Sequence, residues 1–62
     1  MIQVYNIYFC FLNKDGSVER DEYGCEIYHK EQILAVNEKQ AKQLFYKDFK
    51  DNKPEIVDII RR

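Results

Sequence analysis

The chain has 62 residues, of which 45% are hydrophobic and 34% are charged, and its formal net charge is -1. A chain of this length is expected to form one compact domain over residues 1–62 and to bury only about 60% of the surface that its unfolded form exposes. The apolar content argues against disorder, and the near-neutral charge excludes an overall field that would attract nucleic acid.

The first strand is predicted over residues 2–12, and both of its faces are mostly apolar. A strand with one solvated face should instead alternate apolar and polar side chains. The strand is therefore either central and covered on both sides, or its second face meets another molecule. Because one helix covers only one face of a small sheet, the surplus apolar face predicts a homodimer. The aromatic side chains assigned to a dimer or partner surface are Tyr5, Tyr8 and Tyr23.

A two-residue hairpin turn is predicted at Asp15-Gly16, because these residue types supply the positive φ angles of a type I′ turn. In this register Tyr8 faces Tyr23 across the two strands. The returning strand begins near Ser17, and Gly24 within it indicates a bulge or bend. Its first part is strongly charged, so we expect it at an exposed edge of the sheet.

An acidic cluster on this returning strand is the first candidate for a partner-binding site. Alternate strand positions lie about 6.6 Å apart, close to the roughly 6–7 Å between phosphates along one DNA strand. The cluster can therefore imitate a row of phosphates, although Arg20 interrupts it and a solvated edge strand is the simpler interpretation. Its members are Glu19, Asp21, Glu22 and Glu26.

The two cysteines, Cys10 and Cys25, do not face each other in the predicted hairpin register, and a disulfide requires Cα atoms within about 7 Å. Free thiols are expected, which favours a reducing cytoplasm. The N-terminus lacks the basic region and the small-residue cleavage site of a signal peptide. No run approaches the roughly 20 apolar residues of a membrane span, so no membrane partner is expected.

A helix is predicted from residue 38 to about residue 50, with Asn37 as its N-cap. Gln40 lies three residues later and can reach back to the Asn37 amide, as in a capping box. Residues 33–36 before the cap form a short strand or the end of a bent one. The helix stripe expected to face the sheet contains Ala41, Leu44, Phe45, Asp48 and Phe49.

The opposite helix face is the alternative binding site, because lysines on one surface can contact a nucleic-acid backbone. A solvated helix face explains the same pattern. This face consists of Lys39, Lys42, Tyr46, Lys47 and Lys50. Residues 51–54 are expected to end the helix, and residues 55–60 form the last strand. The predicted fold is therefore α+β: a small antiparallel sheet of three or four strands with one helix packed on one face, in the order ββ(β)αβ.

No catalytic or metal-binding arrangement is visible in the sequence. His29 is the single histidine, and it lies in a charged segment without an obvious orienting partner. The spacing of Cys10, Cys25 and His29 matches no standard zinc pattern. With only two glycines there is no phosphate-binding loop. We therefore expect a protein that is not an enzyme and that uses no cofactor and no metal.

A family resemblance spans most of the chain. It is carried by Tyr5-Asn6-Ile7, Asp15-Gly16, Glu26-Ile27-Tyr28-His29-Lys30 and Pro54-Glu55-Ile56-Val57. In this order the chain resembles very small inhibitor proteins of bacteriophages and mobile elements, such as the phage uracil-DNA glycosylase inhibitor family. The resemblance implies a ββαβ protein that imitates DNA. The chain departs from that family by extra residues at 20–25, by a longer and more basic helix, and by lacking a clear match to its enzyme-blocking helix residues.

These observations favour binding over catalysis. The leading hypothesis is a phage or mobile-element protein, of anti-defence type, that inhibits or regulates a bacterial nucleic-acid-processing enzyme. One alternative is a nucleic-acid-binding accessory module that uses the helix lysines. The other is a structural protein whose role is self-assembly.

Overall fold

The computed structural model describes residues 1–49 and 54–62 and contains three strands and one helix in those ranges. In chain order they are β1 (Gln3–Cys10), β2 (His29–Ala35), α1 (Glu38–Lys47) and β3 (Glu55–Arg61). The sheet is antiparallel with the order β2-β1-β3, and the helix packs on one face. The prediction of a small α+β domain is confirmed.

The central strand β1 directs its odd-numbered side chains to the helix. Tyr5, Ile7 and Phe9 are buried there, and Ile7 has no exposed surface. They pack with Ile33 and Ala35 of β2. From the helix, the fully buried side chains of Ala41 and Phe45 complete this core.

The opposite face of the sheet is not covered by any other element in the part of the chain that the structure describes. We call it the open face. Its apolar side chains on the outer strands are accessible, with Leu34 62% exposed, Val57 55% and Ile60 47%, whereas Cys10 of the central strand, on the same face, is 2% exposed. The surplus apolar face expected for the first strand is therefore present, and it extends over all three strands. Its apolar members are Val4, Tyr8, Tyr28, Leu34, Val57 and Ile60.

The helix begins where the sequence predicts and is shorter than predicted. The Asn37 side chain accepts a hydrogen bond from the Gln40 amide at 2.8 Å, which confirms the N-cap. Gln40 does not return the bond to the Asn37 amide; its Oε1 accepts from the Val36 N–H at 2.8 Å. The helix ends at Lys47. The predicted end signal at residues 51–53, and Lys50, lie outside the described residues.

A hairpin turn lies at residues 13–17, where the sequence predicts one, but the predicted returning strand is wrong, because a second tight turn at residues 21–25 interrupts it. In the first turn, the Gly16 N–H donates to the Asn13 carbonyl at 2.9 Å, and the Asn13 N–H donates to the Ser17 carbonyl at 2.7 Å. Gly16 has φ 88°, and no non-glycine residue has positive φ among those described. A type I′ turn needs positive φ at two central residues, so the turn is a three-residue loop with Gly16 in the left-handed region.

The second turn repeats the first one eight residues later. The Gly24 N–H donates to the Asp21 carbonyl at 3.0 Å, and the Asp21 N–H donates to the Cys25 carbonyl at 2.9 Å. Gly24 has φ 81°. This glycine therefore reverses the chain rather than forming a bulge in a continuous strand. Isolated bridges Leu12↔Val18 and Arg20↔Glu26 hold the segments together.

The extra turn changes the partners of β1. Tyr8 pairs with Lys30 of β2 and with Asp58 of β3, not with Tyr23 as predicted. Residues 33–36 are not a separate strand, because β2 runs without interruption from His29 to Ala35. In β3 the register shifts by one residue opposite Tyr8 and Phe9, which makes Val57 an extra residue in that strand.

Candidate functional site

Residues 12–27 form a double-turned extension beyond the end of β1, which we call the acidic tip. It contains five acidic and two basic side chains, a net charge of -3 within a chain of -1. Backbone hydrogen bonds order it: the Glu19 N–H donates to the Phe11 carbonyl at 2.9 Å, and the Ile27 N–H donates to the Glu19 carbonyl at 2.8 Å. The tip is thus a small meander that concentrates negative charge at one end of the molecule.

The predicted acidic residues all lie in the tip, but not as a straight row. The turn at residues 21–25 places Asp21 and Glu22 on a curve, so the phosphate-like spacing along an extended strand does not occur. Glu26 Oε2 lies 3.8 Å from the Arg20 guanidinium. Glu26 Oε1 also accepts a hydrogen bond from the Tyr28 hydroxyl at 3.1 Å. This bond is the largest of several effects that raise the pKa of Tyr28.

The Asp21 side chain stabilises the second turn by accepting backbone hydrogen bonds. Its Oδ1 accepts from the Tyr23 N–H at 2.8 Å and from the Cys25 N–H at 3.0 Å. The Arg20 guanidinium donates to the Gly24 carbonyl at 2.7 Å and so closes the same turn from outside. Tyr23 is 83% exposed within this turn. The turn therefore presents an aromatic ring among carboxylates, held on an ordered backbone.

Where the tip joins the sheet, His29 lies against two aromatic rings. Its ring stacks on Phe9 with centroids 5.3 Å apart and meets the edge of Phe11 at the same distance. Its Nε2 lies 3.8 Å from Glu19 Oε1, which is too far for a direct hydrogen bond. The histidine therefore contributes apolar contact at the junction.

The open face holds a shallow groove of about 390 Å³ next to β1. Two tyrosines form one wall, and the bulged part of β3 forms the other. The lining residues are Tyr8, Tyr28, Val57, Asp58 and Ile60. Tyr8 is the groove residue that the sequence assigns to a partner surface. The groove itself forms only through the β2-β1-β3 strand order, which local sequence patterns do not reveal.

The aromatic residues predicted to share a partner surface do not lie together. Tyr5 is only 6% exposed and belongs to the core under the helix, so its ring is not available to a partner. Tyr8 lines the groove of the open face. Tyr23 lies in the acidic tip and is far more exposed.

The helix face predicted as the alternative site is exposed. Lys39, Lys42 and Lys47 all point to solvent, and Tyr46 between them is 44% exposed. Lys50, the fifth residue assigned to this face, lies outside the described residues. Acidic side chains stand at both helix ends, with Glu38 in the first turn and Asp48 at the C-cap.

Both cysteines are free: Cys10 is buried beside β3 and Cys25 is exposed in the tip. Burial raises the pKa of the Cys10 thiol, and the nearby charges of Glu55 and Glu26 raise it further. Within residues 1–49 and 54–62, no group of three or more His, Cys, Asp or Glu side chains is arranged to hold a metal ion. In the same ranges no helix has the length and apolarity needed to cross a membrane.

The geometry defines a small α+β domain with an acidic tip at one end and an uncovered apolar sheet face. No family model, no curated protein and no solved structure matches the chain. The acidic tip, the open face and the lysine face of the helix are therefore the features that indicate function.

Proposed function

We propose that this chain is a non-catalytic binding protein that inhibits or regulates a bacterial nucleic-acid-processing enzyme. Its acidic tip would occupy a basic groove of that enzyme. The observation that carries this proposal is the tip itself, a hydrogen-bonded meander of net charge -3 that extends from a body of net charge +2.

Charge complementarity supports an enzyme of this class as the partner. Enzymes that act on nucleic acid line their grooves with Lys and Arg to neutralise phosphates. A compact anionic projection is attracted to such a groove at long range, which raises the association rate at low salt. A phage or mobile-element origin agrees with this type of target.

The tip also carries an anchor for close contact. Tyr23 is 83% exposed, and tyrosine is among the residue types that contribute most to protein interfaces. The turn hydrogen bonds to Asp21 hold the backbone on both sides of this ring. A pre-ordered loop loses less conformational entropy on binding than a flexible one.

The experiment is an affinity capture from bacterial lysate, with and without nuclease, followed by kinetics on the captured enzyme. The test variant removes four charges but keeps shape and hydrogen-bond acceptors: Glu19→Gln, Asp21→Asn, Glu22→Gln and Glu26→Gln. Asn at position 21 retains the Oδ1 acceptor that the turn requires. We expect capture to survive nuclease, and the variant to associate at least about tenfold more slowly at low salt.

Glu38→Gln serves as the matched control, because it removes an exposed carboxylate outside the tip, in the first turn of the helix. It should bind like the natural chain. Tyr23→Ala should instead increase the dissociation rate. Unchanged binding by both the neutral tip and Tyr23→Ala would overturn the proposal, as would an interaction that nuclease abolishes.

Nucleic-acid binding through the helix is the second candidate, supported by the exposure of Lys39, Lys42 and Lys47. Changing Lys39, Lys42 and Lys47 to Glu should then abolish a salt-sensitive shift of DNA or RNA. The neutral tip should leave that shift unchanged or strengthen it. The two candidates therefore respond in opposite ways to the two sets of substitutions.

A further inference from the structure

The open face carries opposite charges on its two edges. Residues paired directly across antiparallel strands point to the same face, so Lys30, Tyr8 and Asp58 form one row across β2, β1 and β3. Glu55, which pairs with Cys10, adds a second carboxylate on the β3 side. On this face Lys30 of β2 therefore lies at one edge and the carboxylates of Asp58 and Glu55 at the other, while Arg62, which donates its N–H to the Val4 carbonyl, adds a positive charge at the far end of β3.

We propose that a second copy of this chain covers the open face in a symmetric dimer. Its two-fold axis lies between the two sheets and runs parallel to β1. Rotation about this axis places β2 of one copy over β3 of the other while β1 lies over β1. Lys30 of each copy then faces Asp58 of the second copy, and the two Tyr8 rings meet near the axis.

Charge disfavours one simple alternative, a perpendicular axis through the same row of residues. An axis perpendicular to the strands would place β2 over β2 and β3 over β3. If that axis passed through the row of Lys30, Tyr8 and Asp58, Lys30 would approach its own counterpart, and so would Asp58. Like charges placed opposite each other across an interface cost several kcal/mol, so this arrangement is disfavoured.

The dimensions are compatible with such pairing. Packed sheets stand about 10 Å apart, a distance that one long Lys and one short Asp side chain span together. Three strands of seven residues give a footprint of roughly 340 Å² on each copy. This is below the roughly 800 Å² per partner of a standard interface, so we expect a weak and reversible dimer.

The axis also fixes where the acidic tips lie. Because rotation about an axis parallel to β1 preserves position along the strand, both tips emerge at the same end of the dimer. The residues that join the copies are separate from the tip, so dimerisation and enzyme binding can fail independently. Sedimentation reports the first, and affinity capture reports the second.

The test is sedimentation equilibrium from micromolar to submillimolar concentration with three charge variants. Lys30→Glu and Asp58→Lys alone should each raise the dissociation constant at least about tenfold, because each change places two like-charged pairs in the symmetric interface. The double variant Lys30→Glu/Asp58→Lys restores opposite charges and should return the dissociation constant to near that of the natural chain. Lys42→Glu, on the exposed helix face, is the matched control and should dimerise normally.

Three outcomes would overturn the proposal: a natural chain that stays monomeric throughout the range, single reversals that dimerise normally, or a double variant no better than the single ones. Far-UV circular dichroism verifies that each variant is folded. If a single reversal does not fold, Leu34→Lys provides the second test, since this side chain is 62% exposed on the same face and its replacement should also prevent dimerisation.

Discussion

At the scale of single residues, carboxylates differ in burial according to the face of the sheet on which they lie. Glu31 pairs with Ile7 and shares its core-side face, whereas most other carboxylates point to solvent. The Glu31 Oε2 atom is buried and has no hydrogen-bond partner among the described residues. Burial, and secondarily the charge of Asp48, raise the pKa of Glu31.

This shift predicts that Glu31 reduces stability at neutral pH. A carboxyl group whose pKa is higher in the folded state binds its proton more tightly there. The stability it contributes is therefore present below its ordinary pKa of 4.5 and is lost as pH rises through the folded value. Glu31→Gln should raise the free energy of unfolding at pH 7, measured with urea, and the difference from the natural chain should shrink at pH 4. An equal difference at both pH values would contradict this.

The two thiols should differ in reactivity. Cys25 is exposed, whereas Cys10 is buried and has a raised pKa, and the thiolate is the reactive form. In the folded protein a thiol reagent should modify one site quickly, and both sites after unfolding without reductant. Cys25→Ser should remove the fast phase, and Cys10→Ser should leave it. A fast phase that persists in Cys25→Ser would show that Cys10 is accessible.

At the scale of elements, local signals predict some parts correctly and mislead in others. The Asn37 cap, β1 and β3 follow from side-chain chemistry and apolar runs within a few residues. β2 does not, because its residues divide between the predicted returning strand and the predicted segment at residues 33–36. The turns do not, because Asp15-Gly16 fits both a two-residue and a three-residue loop, and only the pairing Leu12↔Val18 decides. The prediction of Tyr5 on a partner surface is wrong because an apolar run does not reveal which face the helix covers.

The second turn provides a test at this scale. Gly24 has φ 81°, where a Cβ atom costs roughly 1–2 kcal/mol, and a Cβ atom at this position would meet nothing within 4 Å. Gly24→Ala should therefore lower stability through the backbone alone, as measured by thermal unfolding. Gly24→Asn should cost less, because asparagine tolerates this region. Equal losses for Ala and Asn would point to a cause other than backbone conformation.

At the scale of the whole molecule, stability depends on one small core. Phe45 has no exposed surface and lies 4.8 Å from Phe9 and 4.9 Å from Phe49, ring centre to ring centre. Seven buried residues form the entire cluster in the described part of the chain. Strand order decides which surfaces, such as the open face, lie outside this core. Strand order depends on the whole chain and cannot be predicted from any one segment.

Phe45→Ala should therefore unfold most of the protein. Removing a buried phenylalanine costs about 3–5 kcal/mol, which is comparable with the total stability of a small domain. Far-UV circular dichroism at 25 °C should show loss of the folded spectrum. Tyr46→Ala, the exposed neighbour on the same helix, should remain folded. A folded Phe45→Ala variant would mean that the helix contributes less to the core than its burial indicates.

The position of β1 at the centre of the sheet has a kinetic consequence. Tyr5 pairs with Arg61, so β3 must return across almost the whole chain before that ladder forms. Closing so long a loop costs entropy before any contact compensates for it, which slows folding for a domain of this size. Until β3 docks, one edge of β1 has unpaired N–H and C=O groups. The β3 strand of another copy of the chain can pair with this edge as well as the chain's own β3. Refolding at high concentration is therefore the stage at which strands should exchange between chains.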